Sequence, residues 1–330
     1  MITVLGAGAV GLAIGTRLAR AGRRILFVTR RPEAAHAILS SGVRLEDLAS
    51  GEAWSARTGV EAVAGILAAG PLIGEGPVLV CVRASDTQAV AEDLAAAAPR
   101  AVVASLQNDV GNCERLAACF PRLIGGVYRQ TCTRVTENAA VTLGWGRVVL
   151  GAWPEGRSAE TERLAEDFRE AGYDVGVSER IRADQWLKLA MNLMSAPNAL
   201  VLREDHESQA FVRVKVRLLE EARAALLAAG IEARSCDGRD RSLEEEIAFQ
   251  GESLSRATSS RRLPVYNQVW SALRHGGPLE ADSYHRRILD LAAGHGLEAK
   301  QNTRVLEAVV EAWTTKRGPE CLRATDLLVG

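Results

Sequence analysis

The chain has 330 residues, 47% of them hydrophobic and 25% charged, and its 40 basic side chains nearly balance 41 acidic ones for a formal net charge of -1. That length and balance suit a globular protein of two domains. No basic excess exists to drive general binding to nucleic acid or to an anionic membrane surface, and no apolar run reaches the ~18 residues of a membrane span.

The opening MITVLGAGAVG reads as a strand (residues 2–5) and a turn, with no secretory leader expected. AVGLAIGTRLARAG reads as a helix ending near Gly22, and RRILFVT as a second strand. VLVCV (78–82), AVVASL (101–106) and LIGGVY (123–128) are further apolar strands, with helical patterns such as DTQAVAEDLAAAA between them. Strand–helix alternation with continuously apolar strands predicts a parallel α/β sheet. TCTRVT, AAVTLG and RVVLG predict short strands over 130–150 that extend the sheet antiparallel at one edge. Beyond residue 180 the patterns are helical, among them RADQWLKLAMNLMSA, VRVKVRLLEEARAALLAAG, DRSLEEEIAFQGESLSR, ADSYHRRILDLAAGHG and TRVLEAVVEAWTTK. The predicted organisation is an α/β Rossmann-type domain over 1–179 followed by an all-α domain over 180–330. Cys81, Cys113, Cys119, Cys132, Cys236 and Cys321 form no C-x-x-C pair and no cluster at zinc spacing. Reduced thiols in a cytoplasmic protein without a metal are expected.

GAGAVG supplies Gly6, Gly8 and Gly11 as G-x-G-x-x-G between a predicted strand and helix, the context that makes this motif a dinucleotide site. Its glycines make the tight turn, admit the pyrophosphate and let helix pack on strand. Gly8, Ala9, Val10 and Gly11 then present the helix N-terminus to phosphate. At the end of the second strand, where an NAD site usually has an acid, the chain has Arg30 and Arg31. Such a pair suits the 2′-phosphate of NADPH, although two solvated arginines would look the same in sequence.

Asn108 in SLQNDVGN and Arg83 in VCVRASD each follow a predicted strand, on the edge where open α/β sheets bind ligands. In the apolar WLKLAMNLMSAPNAL, Lys188 and Asn192 stand four apart on one helical face. Either the lysine lays its methylenes over an apolar surface with its head in water, or it has a task there. Glu280 follows Gly-Gly-Pro-Leu at a helix start, a position that the helix dipole alone favours for an acid.

Together GAGAVG, the arginine in VTR, LQN-VGN, W-K-x-x-x-N and LEAD resemble the ketopantoate reductase (2-dehydropantoate 2-reductase) family over nearly the whole chain and in its order. The resemblance implies a 6-phosphogluconate-dehydrogenase-like architecture with its active site in an interdomain cleft. The chain departs from the family at Arg83, usually lysine, at Asp109, usually glycine, and at Ala196, usually a second helical asparagine. Ser195 and Asn198 flank that last position as candidate substitutes. The family's serine segment does not align within YNQVWSAL (266–273), where Asn267 or Gln268 would replace the serine.

These readings predict NADPH-dependent reduction of a small 2-oxo acid, with 2-dehydropantoate the family's own substrate. Gly6, Gly8, Ala9, Val10, Gly11, Arg30, Arg31, Arg83 and Asn108 would hold the cofactor. Lys188 would be the general acid, since burial lowers a lysine's pKa toward working pH. Glu280 would bind a substrate hydroxyl or tune Lys188, Asn108 would orient the nicotinamide, and Arg83 could pair with a substrate carboxylate. Asn192, Ser195 and Asn198 would line the substrate site. Two other readings stand: a hydroxyacid or opine-type (imine-forming) dehydrogenase on the same scaffold, and a non-catalytic NADP(H)-binding sensor. No nucleic-acid or membrane partner is expected, and a homodimer is left open.

Overall fold

The strands β1 (Ile2–Leu5) and β2 (Ile25–Thr29) are buried along their whole length, as strands covered on both faces must be. The computed structural model describes residues 1–252 and 267–329. Its contacts resolve into two units, Met1–Gln185 and Trp186–Gly330. In the first, α1 (Ala9–Arg20), α2 (Pro32–Ser41), β3 (Val43–Asp47), β4 (Ala53–Ala56), β5 (Val60–Ala64) and α3 (Ile66–Ala69) precede β6 (Val78–Val80) and α4 (Thr87–Ala97). Then come β7 (Val103–Ser105), α5 (Gly111–Ala117), β8 (Leu123–Arg134), β9 (Ala139–Ala152), α6 (Ala159–Glu170) and β10 (Asp174–Val177).

One ten-stranded sheet runs β4-β3-β9-β8-β7-β6-β1-β2-β5, with β10 paired to β9. Within it β5, β2, β1, β6, β7 and β8 are parallel, the order of a doubly wound nucleotide-binding sheet. Side chains alternate between two cores, as the period of a strand requires. Ile2, Val4, Ile25, Phe27 and Leu79 pack with Leu12, Ile14 and Leu18 of α1 and Leu164 and Phe168 of α6. Leu5, Leu26, Val28, Val78 and Val80 pack with Val90 and Leu94 of α4 and Leu116 of α5.

The sheet departs from the sequence reading in several places. The segments LIGGVY, TCTRVT, AAVTLG and RVVLG are not separate strands. They form one long antiparallel hairpin, β8 with β9, with a register shift at Arg129/Thr131. Nor does the hairpin end the sheet, because β3 pairs parallel to β9 beyond it. Strands β3, β4, β5 and β10 carry no continuous apolar run; β3 alternates buried Val43, Leu45 and Asp47 with exposed or half-exposed Arg44 and Glu46. The strands at 78 and 101 are shorter than their apolar runs and cover only Val78–Val80 and Val103–Ser105.

α7 (Ile181–Asn192) is followed in the second unit by α8 (Ser195–Leu200), α9 (Gln209–Ala228), α10 (Leu243–Glu252), α11 (Gln268–His275), α12 (Ala281–Gly294), α13 (Lys300–Thr314) and α14 (Ala324–Leu327). The apolar run at 186–200 is two helices rather than one. Pro197 lacks an N–H and crowds the carbonyl four residues back, at Leu193, where the first helix has ended. Val214 and Leu218 of α9 share a core with α8, α11, α13 and α14. Part of DRSLEEEIAFQGESLSR lies outside the described residues, as does Tyr266 of YNQVWSAL. No helix among the described residues is long and apolar enough to cross a membrane.

Candidate active site

The turn after β1 has the geometry its glycines predict. Gly6 takes a φ of +106°, and a Cβ on Gly11 would stand 2.0 Å from the Gly6 carbonyl oxygen. Glycine is therefore required at both, one for conformation and one for close helix–strand approach. A Cβ on Gly8 would meet nothing within 4 Å. Gly8 is the N-cap of α1, no side chain caps that end and no acid lies in the first turn. The N–H groups of this end are thus open to solvent or to an external anion. The donor set fits a dinucleotide pyrophosphate.

Four loops leave the C-terminal ends of neighbouring parallel strands on this edge. After β2, the Thr29 hydroxyl donates to the Arg31 carbonyl at 2.8 Å and so fixes the turn. Arg30 projects outward with a side chain 77% exposed. Arg31 is the N-cap residue of α2 and pairs with Glu137, in the turn between β8 and β9. After β6, Arg83 donates from both Nε and Nη2 to Oδ2 of Asp86, each at 3.1 Å. The same oxygen stands 3.8 Å from Nη1 of Arg30. Arg30 and Arg83 therefore meet at one carboxylate.

After β7, Asn108 is half-buried in the loop that leads to α5. A network of buried amides and hydroxyls supports that loop. The Gln107 Nε2 donates to the Val82 carbonyl at 2.9 Å and to Thr87 Oγ1 at 2.8 Å, and Ser105 Oγ donates to Gln107 Oε1 at 3.1 Å. Thr87 in turn donates to Asn112 Oδ1 at 2.9 Å. Asp109, in the usual glycine position, is buried and accepts from the Gly111 N–H at 3.0 Å. Gln107, Thr87 and Asn112 were not candidates in the sequence, because these bonds join residues up to 25 positions apart.

The cysteines nearby are not nucleophiles. Burial pushes the Cys81 thiol up to about 12 and the Cys113 thiol up to about 11, and a thiol that stays protonated is inert.

In the second unit, Lys188 is half-buried while Trp186, Leu187, Leu189 and Ala190 around it are buried. Asn192, one turn on, is also half-buried and ends α7. Ser195 is half-buried and Asn198 exposed. Ala196 is fully buried in the apolar cluster that holds Val269, Leu273 and Ala281. Asn267 caps α11, accepting from the Trp270 N–H at 2.9 Å and donating to the Ser195 carbonyl at 2.8 Å. Its amide therefore ties α11 to the start of α8. Glu280 is the N-cap residue of α12 but makes no side-chain cap bond. Instead its Oε2 accepts the Tyr284 hydroxyl at 2.8 Å.

Residues 2–155 match the family model described as Ketopantoate reductase PanE/ApbA. The 2-dehydropantoate 2-reductase of Pyrococcus horikoshii is 24% identical over 315 residues, 94% of this chain and 96% of that protein. A crystal structure of a PanE/ApbA family ketopantoate reductase from Ralstonia eutropha is 25% identical, with a TM-score of 0.77 over 96% of this chain and 100% of the other. By these matches the chain is similar to ketopantoate reductases in sequence and in fold.

The fold is that of these similar structures, a Rossmann-like domain followed by a mostly helical one. D-mandelate dehydrogenase, solved with NADH and anilino(oxo)acetate, shares that fold with a TM-score of 0.77 at 17% identity, over 96% of this chain and 100% of the other. Sequence similarity and fold together indicate a dinucleotide cofactor of the NAD(P)H type and an oxidoreductase. The family resemblance puts a second helical asparagine at Ala196, and here that position is enclosed in the apolar core. The candidate replacement for the family's serine, Asn267, is spent on capping.

Proposed function

We propose that the protein is an NADPH-dependent reductase of a small 2-oxo acid, with Lys188 as its general acid. The observation that carries this reading is the uncapped, acid-free start of α1 over the open space at Gly8, in a chain similar to this family. Ala9, Val10 and Gly11 lie at that helix start, on the pyrophosphate side. Arg30 serves the 2′-phosphate, with Arg83 beside it. Arg31, already engaged by Glu137, supports the turn as its N-cap.

A nicotinamide cofactor, when bound, would supply the hydride. Negative charge then develops on the substrate carbonyl oxygen, and Lys188 Nζ delivers a proton to that atom. Asn108 orients the carboxamide of the nicotinamide. Glu280 accepts a hydrogen bond from a substrate hydroxyl, with Tyr284 holding the other side of its carboxylate. Asn192, Ser195 and Asn198 supply the polar lining for the substrate. The test is an NADPH-oxidation screen against a panel of 2-oxo acids that includes 2-dehydropantoate. Turnover of at least one acid, abolished by Lys188→Ala, supports the reading; NADPH binding with no turnover overturns it.

A second reading differs only in substrate: a hydroxyacid or imine-forming dehydrogenase on the same scaffold. The buried Ala196 favours it, because an amide that would grip a polar substrate is replaced by core. Running the same screen with and without an added amine separates the two.

A further inference from the structure

We propose that Asp86 is a specificity-determining residue for the cofactor, an acid that serves the adenosine ribose from a strand other than the usual one. This rests on the reading that Arg30 binds the 2′-phosphate. Dinucleotide sites that take NAD place a carboxylate at the end of the second strand, where it accepts from the ribose hydroxyls. The end of β2 has Arg30 and Arg31 instead. Asp86 comes from the loop after β6, yet its Oδ2 stands 3.8 Å from Arg30. An acid absent from the second strand's end in sequence therefore stands beside the guanidinium that this end projects.

Its partners fix how it acts. Oδ2 accepts two N–H groups of Arg83, each at 3.1 Å, and Oδ1 accepts the Ser85 hydroxyl at 3.2 Å. The carboxylate is held, with its side chain 32% exposed, so that it remains open to a ligand. Arg30 is held by a longer contact and is more exposed. A ribose bearing a free 2′-hydroxyl can donate to this carboxylate. A ribose bearing a 2′-phosphate brings a dianion to Arg30 and meets the Asp86 charge beside it. The loop thus favours NADH and opposes NADPH, whereas Arg30 does the reverse. The balance between the two side chains sets the preference.

The test is calorimetric titration of the full chain with 2′,5′-ADP and 5′-AMP, and with NADPH and NADH, for the wild type and for Asp86→Asn, Asp86→Glu and Arg30→Ala. Asp86→Asn should bind the 2′-phosphorylated ligands more tightly and the 2′-hydroxyl ligands more weakly, changing their ratio by about twofold to fivefold, the scale on which partly exposed charges couple. Asp86→Glu, which keeps the charge, should stay near the wild-type ratio. A role confined to ordering the loop would weaken all four ligands together, and that result, or an unchanged ratio, overturns the proposal. Arg30→Ala reports separately. If it leaves NADPH and 2′,5′-ADP affinity intact, the 2′-phosphate reading of Arg30 fails. If it weakens them while Asp86→Asn leaves the ratio unmoved, the assignment of Asp86 alone fails.

Discussion

Tyr284 donates its hydroxyl to Glu280 Oε2 at 2.8 Å, one helical turn along α12. A glutamate at a helix start could be explained by the dipole alone, but this one leaves the N-terminal N–H groups uncapped by its side chain. Tyr284 is itself buried, so it gives the carboxylate a fixed direction. Tyr284→Phe should then lower kcat/KM by roughly tenfold, as loss of one hydrogen bond to a charged group can, with cofactor affinity unchanged. Glu280→Ala should do more and should raise substrate KM as well. Steady-state kinetics with saturating NADPH decides, and a Tyr284→Phe enzyme with wild-type constants would remove the tyrosine from the site.

Lys188→Ala is the sharper test of mechanism. The residues around Lys188 in α7 are buried, so truncation to alanine keeps the helix and its packing. The variant should bind NADPH nearly as the parent does and lose at least about a hundredfold in kcat, the lower end of what a general acid contributes. Near-normal kcat would mean that the lysine only lays its methylenes across an apolar surface.

The parts of this protein legible in sequence are those whose chemistry is local. GAGAVG could be read because a turn, a helix start and a close approach are encoded within six adjacent residues. Lys188 stood out because its neighbours are apolar. The association of Arg30 with Asp86 was invisible, since the two residues belong to different strand-end loops and only the parallel sheet brings them together. Strand β3 was missed because two of its five side chains, Arg44 and Glu46, face outward and are charged. The break before α8 was legible through Pro197, but the apolar run read straight across it. Asn267 looked like a replacement for the family's serine, yet its amide serves a helix cap, a role that depends on where α11 begins.

Gln107 offers a test of the loop supports on the first unit. Its amide joins the chain after β6, at Val82 and Thr87, to the chain after β7, and so connects the loops that carry Arg83 and Asn108. Gln107→Leu keeps the volume but leaves the half-buried Val82 carbonyl without its donor and the buried Ser105 hydroxyl without its acceptor. The expected cost is about 1–3 kcal/mol of stability, read as a lower urea midpoint, together with weaker NADPH binding. A variant as stable as the parent would show that the amide is replaceable by solvent.

His285 gives the helical unit a pH dependence of definite sign. It is fully buried in α12, and its Nδ1 donates to Asn302 Oδ1 at 2.9 Å. Burial lowers its pKa to about 4, with the Asn302 hydrogen bond and the nearby Asp282 charge opposing only part of the shift. In the unfolded chain the same ring takes up a proton near its ordinary value of 6.5. Between those values the unfolded state binds more protons, so stability falls as the pH drops from about 6.5 to about 4 and is fully present above that window. The whole interval corresponds to about 3 kcal/mol for this one group. Burial lowers the pKa of the partly buried His206 as well, so the contribution of His285 must be read as a difference. Urea denaturation of the wild type and of His285→Gln at several pH values supplies it. The variant should start less stable at pH 7.5 and lose less on acidification, so that the two stability curves converge toward pH 4; parallel curves would show that His285 does not carry the dependence.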